Sequence, residues 1–112
     1  MSFVRVWIHF IWSTRNREKY LTNDIRQKVI EHIKSNCKKK EIRLDTVNCV
    51  SDHIHLLISL GAEQTVSKIV MLIKGESSHW INENKLTGRK FAWQTEYMGI
   101  SVSESAVDKV RK

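Results

Sequence analysis

The chain has 112 residues, of which 41% are hydrophobic and 28% charged, with 4 glycines and no proline. This composition fits a single domain over residues 1–112 and excludes the disordered and fibrous classes. The net charge of +7 is typical of a protein that binds a polyanion such as nucleic acid, although a basic protein without such a partner has the same balance.

The first third of the chain predicts a strand followed by a helix. Apolar residues alternate from Phe3 to Trp12, which indicates a strand, and the basic stretch from Ser13 to Lys19 indicates a loop. Thr22, Asn23 and Asp24 offer N-cap side chains. Apolar residues then recur at helical spacing, so we expect a helix that ends near Lys40.

Two strands and a second helix follow in the middle of the chain. The strands are predicted at residues 42–50 and 52–60. Thr65 is the predicted N-cap of the second helix, which should run to about Asn84. Gly75 lies inside this helix at a cost of roughly 1 kcal/mol relative to alanine, so close packing or an approaching ligand would explain it.

The last part of the chain predicts a turn, a strand and the start of a helix. The turn is at residues 87–89 and the strand at 91–100. Ser101 and Glu104 match the capping-box spacing, so a third helix should begin here and continue to the last residue. The order β-α-β-β-α-β predicts an α+β, ferredoxin-like antiparallel sheet with both helices on one face, followed by a truncated C-terminal helix.

His53 and His55 are the candidate metal ligands. In a strand, alternate residues share a face, so both imidazoles project from one side while Ile54, Leu56 and Ile58 project from the other. Two imidazoles suit a transition metal, or Mg²⁺ and Mn²⁺ with added oxygen ligands. Two surface histidines would give the same pattern, and His9 on the neighbouring strand lies within possible reach.

Basic residues cluster at several places. Lys38–Lys40 suit the C-terminus of a helix, where cations favour the dipole, whereas Arg15 and Arg17 have no such local explanation. Lys74 and Ser78 share a helix face that is suitable either for a phosphate or for solvent.

Four segments in order resemble the single-tyrosine HUH transposases of small bacterial insertion sequences, the IS200-like transposases. The resemblance covers essentially the whole chain. The matching segments are Trp7–Arg17, Asp52–Ile58 with its His-x-His, Ile73–Ser78, and Phe91–Tyr97 followed by Ser101–Ser103.

The resemblance implies a DNA transposase that cuts and rejoins single-stranded DNA at hairpin-bearing element ends. In that family a tyrosine forms a 5′-phosphotyrosine intermediate, and a divalent ion polarises the scissile phosphate. By resemblance, His53 and His55 would hold Mg²⁺ or Mn²⁺, and Arg15, Arg17 and Lys74 would contact DNA. The resemblance also implies a homodimer.

The chain departs from the family at the nucleophile. By alignment, the catalytic tyrosine belongs immediately after Lys112, and Tyr20 and Tyr97 match no catalytic position. We therefore expect no catalytic residue in these 112 residues, and no cleavage by them. The alternatives are a non-catalytic nucleic-acid-binding ferredoxin-like module and a zinc protein in which Cys49 is a ligand.

The sequence also predicts a compartment. No apolar run reaches the ~18 residues that a membrane span needs, and the N-terminus lacks the regions of a signal peptide. We expect a cytoplasmic protein with no membrane partner.

Overall fold

The computed structural model describes residues 6–107 and residue 109. Four strands and two helices form in the predicted order. They are β1 (Val6–Ser13), α1 (Asn23–Lys39), β2 (Arg43–Cys49), β3 (His53–Leu60), α2 (Val66–Glu83) and β4 (Met98–Val102). The first residues of the predicted strand, before Val6, and most of the predicted third helix lie outside the described residues.

The strands form one antiparallel sheet in the order β2-β3-β1-β4. The first and third strands are therefore the central pair, as in the predicted split β-α-β arrangement. A register shift between Leu44 and Thr46 interrupts the pairing of β2 with β3.

Both helices cover the same face of the sheet. Their apolar stripes, including Val29 and Ile33 of α1 and Ile69 and Ile73 of α2, join the strand residues in one core. Phe10, Ile54, Leu56 and Ile58 are the central strand residues of this core. Burial of these side chains stabilises each helix more than its propensity does.

Local signals explain the helix bounds. Thr65 is the N-cap of α2 and its side chain accepts a hydrogen bond from the backbone N–H of Lys68 at 3.3 Å, as predicted. Ser77 is a buried polar residue of this helix, whereas Trp80 is half-buried. The cost of Gly75 has no packing explanation, because a Cβ built there meets nothing within 4 Å.

The predicted strand at 91–100 is wrong over its first seven residues. Residues 92–94 pair with 13–15, and β4 pairs with residues 7–11 of β1. The chain leaves β1 between these two stretches, where the Lys74 ammonium donates to the carbonyl oxygens of Gln94 and Thr95. The Lys74 side chain thus donates to two carbonyl oxygens that, in a regular sheet, would accept hydrogen bonds from the backbone of a neighbouring strand.

The predicted capping box is also displaced. Ser101 lies within β4, paired with Ile8, so it is not a helix cap. A short 3₁₀ turn begins instead at Glu104, and the N–H of Ala106 donates to the carbonyl of Ser103 at 2.9 Å. Among the described residues, no helix is long and apolar enough to span a membrane.

Candidate active site on the open face of the sheet

The histidine pair lies on the sheet face opposite the helices. His53 is paired with Ser13 and His55 with Ile11, so these residues share that face. The two imidazole ring centroids are 4.9 Å apart. Leu57 and Ser59, further along β3 on the same side, are buried, so the accessible part of this face lies at the His53 end of the strand.

His53 is held by its neighbour in the chain. Its Nδ1 lies 2.8 Å from Oδ1 of Asp52, and Arg17 donates to the other carboxylate oxygen from Nε and Nη2, each at 3.3 Å. The hydrogen bond from His53, followed by the interactions with Arg17, keeps the pKa of Asp52 below its usual range. An ionised Asp52 fixes the proton of His53 on Nδ1 and leaves the Nε2 lone pair for another partner.

His55 has a different neighbour, His9 on β1. The Nδ1 of His55 lies 3.4 Å from Nε2 of His9, and the two rings stack with centroids 5.5 Å apart. Burial lowers the pKa of both imidazoles, and the pKa of His55 is lowered further by His53 and His9. These residues are therefore neutral at neutral pH, which is the form that binds metal ions.

A hollow of about 440 Å³ opens beside the pair. His53, His55 and Arg17 line one side, and the irregular segment before β4 supplies Glu96 and Tyr97. Sequence patterns did not assign Glu96 or Tyr97 to the site. Which face of the predicted strand lies beside the histidines depends on its pairing with β1, and Tyr97 lines the hollow only because the chain departs from regular pairing before Met98. The position of both residues inside a segment matching the transposase pattern was the available signal.

The donor set fits a metal site only in part. Within the part of the chain that the structure describes, no three His, Cys, Asp or Glu residues group closely enough to hold an ion. Cys49 is no substitute, because it pairs with Ile54 in the core-facing register, on the other side of the sheet from the histidines. Burial also raises the pKa of Cys49 to about 11, which disfavours the thiolate that zinc requires.

The three candidate DNA contacts differ in their surroundings. Arg15 is exposed, and its backbone N–H donates to Ala92 at 2.9 Å. Arg17 is exposed but paired with Asp52. Lys74 donates hydrogen bonds to the carbonyl oxygens of Gln94 and Thr95. Its ammonium lies 5.8 Å from the Trp12 ring centroid, and burial lowers its pKa.

Comparison with known proteins decides the family. The model of the family described as "Transposase IS200 like" matches residues 2–112. The chain belongs to the IS200-like transposase family.

Curated relatives of this IS200-like transposase are also described as transposases. The ISDra2 transposase TnpA of Deinococcus radiodurans is 24% identical over 110 residues, which cover 93% of this chain and 78% of that protein. The transposase for insertion sequence element IS200 of Salmonella typhimurium is 27% identical over 75 residues, covering 67% of this chain. The match spans about half (49%) of the Salmonella protein's own length.

Solved structures share the fold. One is described as a crystal structure of a transposase from Deinococcus radiodurans; it has a TM-score of 0.82 at 18% identity, with 97% of this chain and 88% of that chain covered. Another is a REP-associated tyrosine transposase bound to a REP hairpin, with a TM-score of 0.69 at 17% identity, covering 97% of this chain and 64% of that one.

Proposed function

We propose that this chain supplies the metal-holding and DNA-holding parts of a single-strand DNA transposase that acts on hairpin-bearing element ends. The observation that carries the proposal is the position of His53 and His55. Both line an accessible hollow, and one of them is oriented by a carboxylate that also pairs with a basic loop. Family membership and the hairpin-bound structural relative support the same reading.

We assign His53 and His55 as ligands of Mg²⁺ or Mn²⁺, with further ligands from the DNA and from outside the described residues. When bound, the ion supplies Lewis-acid stabilisation of charge on the scissile phosphate. The lowered pKa of His55 favours the neutral imidazole, which binds a metal ion without prior loss of a proton. Arg15 and Arg17 hold the DNA backbone beside the hollow through phosphate contacts.

The proposed reaction is a transfer of the phosphodiester to tyrosine. A tyrosine hydroxyl attacks phosphorus, the bond to the 3′-oxygen breaks, and a 5′-phosphotyrosine and a 3′-OH result. In the reverse step a 3′-OH displaces the tyrosine, so no nucleoside triphosphate is required. By family resemblance this tyrosine lies on the helix that follows the Ser101–Ser103 segment, and in a homodimer that helix can complete either its own or the partner's site. We place the reaction in the cytoplasm.

Neither tyrosine of the printed sequence is assigned as the nucleophile. Tyr20 packs edge-on against Phe91, with ring centroids 5.1 Å apart, and is half-buried. Tyr97 lines the hollow, but its ring also packs near Phe10, with ring centroids 6.2 Å apart. The Lys74 ammonium lies 6.0 Å from the Tyr97 ring centroid. We therefore expect residues 1–112 to bind hairpin DNA without forming a covalent adduct.

The metal test compares matched histidine variants. His53→Ala and His55→Ala should each abolish measurable Mn²⁺ binding in calorimetric titrations with hairpin DNA present. His79→Ala is the control, because His79 is exposed on α2 and paired with Glu83. Unchanged Mn²⁺ affinity in both site variants would overturn the assignment, and tight zinc binding lost in Cys49→Ser would favour the zinc alternative.

The DNA test uses the basic loop and the tyrosines. Replacing Arg15 and Arg17 by alanine should weaken binding to hairpin DNA and flatten its salt dependence by roughly one unit of log-log slope per lost phosphate contact. An unchanged slope would exclude these phosphate contacts. A covalent DNA adduct formed with Mn²⁺ and lost in Tyr97→Phe would make Tyr97 the nucleophile and contradict its exclusion.

A further inference from the structure

A second basic surface lies on the turn that joins α2 to the irregular segment before β4. Residues 84–90 form this turn, and its cations are Lys85, Arg89 and Lys90, all exposed. Within the described residues, Lys85 and Lys90 have no acidic partner, so both ammonium groups are available to an external anion. The turn had no assigned role in the candidate site.

The ends of this turn are fixed. The Asn82 side chain donates to the carbonyl of Phe91 at 2.9 Å and accepts from the Phe91 N–H at 2.6 Å, which closes the turn at its base. Leu86 N–H donates to the Ile81 carbonyl at 3.2 Å. Gly88 has φ of 70°, a conformation that favours glycine. The basic side chains therefore project from a defined backbone.

The turn is continuous with the basic loop beside the histidines. Arg89 Nη2 lies 3.3 Å from Glu18 Oε2, and its guanidinium carbon lies 4.4 Å from the Tyr20 ring centroid. Glu18 follows Arg17, which reaches His53 through Asp52. At this end of the molecule the basic loop supplies Arg15, Arg17 and Lys19 and the turn supplies Lys85, Arg89 and Lys90, whereas the carboxylates are those of Asp52, Glu18, Glu83 and Glu96.

The chemistry of the turn suits a duplex backbone better than a single strand. Proteins that hold single strands present aromatic faces on which bases stack. The aromatic rings next to this turn are already engaged, because Tyr20 packs between Arg89 and Phe91 and Phe91 is buried. Lysines on a fixed turn provide phosphate contacts alone, which position nucleic acid without reading its sequence.

We propose that the turn at residues 84–90 contacts the phosphates of the duplex stem of a DNA hairpin while the Arg15 loop contacts the strand beside the histidines. This rests on the proposed DNA-binding function and extends it to a named surface and a named part of the DNA. The Lys85 and Lys90 ammonium groups make the contacts, and Arg89 holds the turn against the loop.

The test uses two DNA ligands of equal length, a hairpin with a single-stranded flank and an unstructured strand. The double variant Lys85→Ala/Lys90→Ala should lose about two units of log-log salt slope on the hairpin, at roughly 0.9 per phosphate contact. It should bind the unstructured strand as the unchanged protein does. The matched control is Lys38→Ala/Lys39→Ala at the end of α1, where the chain leads into β2 at the opposite end of the sheet.

The binding results distinguish failure of the stem contact from failure of the proposed DNA-binding function. Unchanged hairpin binding by the Lys85/Lys90 variant, with binding still lost in the Arg15/Arg17 variant, would overturn the stem contact alone. Equal losses on both ligands would replace duplex contact with general attraction and also overturn it. If the unchanged protein bound neither ligand, the proposed DNA-binding function would fail with it. Thermal unfolding curves of the Lys85/Lys90 variant and of the unchanged protein should coincide, because both lysines are exposed and have no acidic partner among the described residues.

Discussion

Nδ1 of His53 lies 2.8 Å from Oδ1 of Asp52, the residue that immediately precedes it in the chain. Adjacent residues of a regular strand project to opposite faces, so this contact requires Asp52 to lie just before β3, which begins at His53. The same carboxylate binds Arg17. Asp52 therefore links a metal-ligand candidate to the basic loop that we assign to DNA.

Removing the charge of Asp52 should weaken metal binding without removing a ligand. Asp52→Asn retains an oxygen that accepts from Nδ1 of His53 but loses the negative charge, and Asp52→Ala loses both. Residues that orient metal-binding histidines typically contribute about 10–100-fold in affinity, so we expect roughly 10-fold for Asn and more for Ala. Mn²⁺ titration measures this directly. Equal affinity in all three proteins would show that Asp52 does not position His53.

The two helices could be predicted from sequence because their signals are local. Apolar residues at helical spacing and a threonine cap determine α2, and the structure places its ends at Val66 and Glu83, within a residue of those expected. The segment before β4 could not be predicted in this way. Its alternation indicates a strand, but Lys74, about 20 residues earlier in the chain, binds its carbonyls and draws it away from β1.

The candidate site likewise has one part that could be predicted from the sequence and another part that could not. The His53 and His55 pair was visible as a pattern of period two on one strand. The Arg17–Asp52 pair joins residues 35 positions apart, and Tyr97 lines the hollow although a regular continuation of β4 would place it opposite Trp12 on the core face. Such contacts depend on how elements meet, and neither spacing nor propensity in a single sequence contains that information.

Ser77 should stabilise the irregular segment before β4. Its buried Oγ accepts a hydrogen bond from Trp93 Nε1 at 2.9 Å and donates to the Ile73 carbonyl at 2.6 Å. Ser77→Ala leaves the indole N–H unpaired in the core, so the free energy of unfolding should fall by about 1–3 kcal/mol. Urea denaturation measures the change. Ser78→Ala, one residue on and outside the core, should change it by no more than about 0.5 kcal/mol.

Gly75 is a position where a larger residue should increase stability. A Cβ there meets no atom within 4 Å, and the residue lies inside α2, so Gly75→Ala should raise the free energy of unfolding by roughly 0.5–1 kcal/mol. Gly99→Ala is the contrasting control, because its Cβ would lie 3.2 Å from the ring of Phe10, which is fully buried and has little room to shift, so we expect no gain in stability there. A loss of stability in Gly75→Ala would indicate that the α2 backbone there is not regular.

The two cysteines should make stability fall at alkaline pH. Burial raises the pKa of Cys37 and of Cys49 to about 11, above the ordinary value of 9.0. The folded state therefore keeps its thiol protons while the unfolded chain loses them, so the stabilising effect is complete below pH 9 and is lost as the pH rises toward about 11. Denaturation curves at pH 8, 9.5 and 10.5 should show this decline. The decline should shrink in the Cys37→Ala/Cys49→Ala variant, and an identical decline there would assign it to other groups.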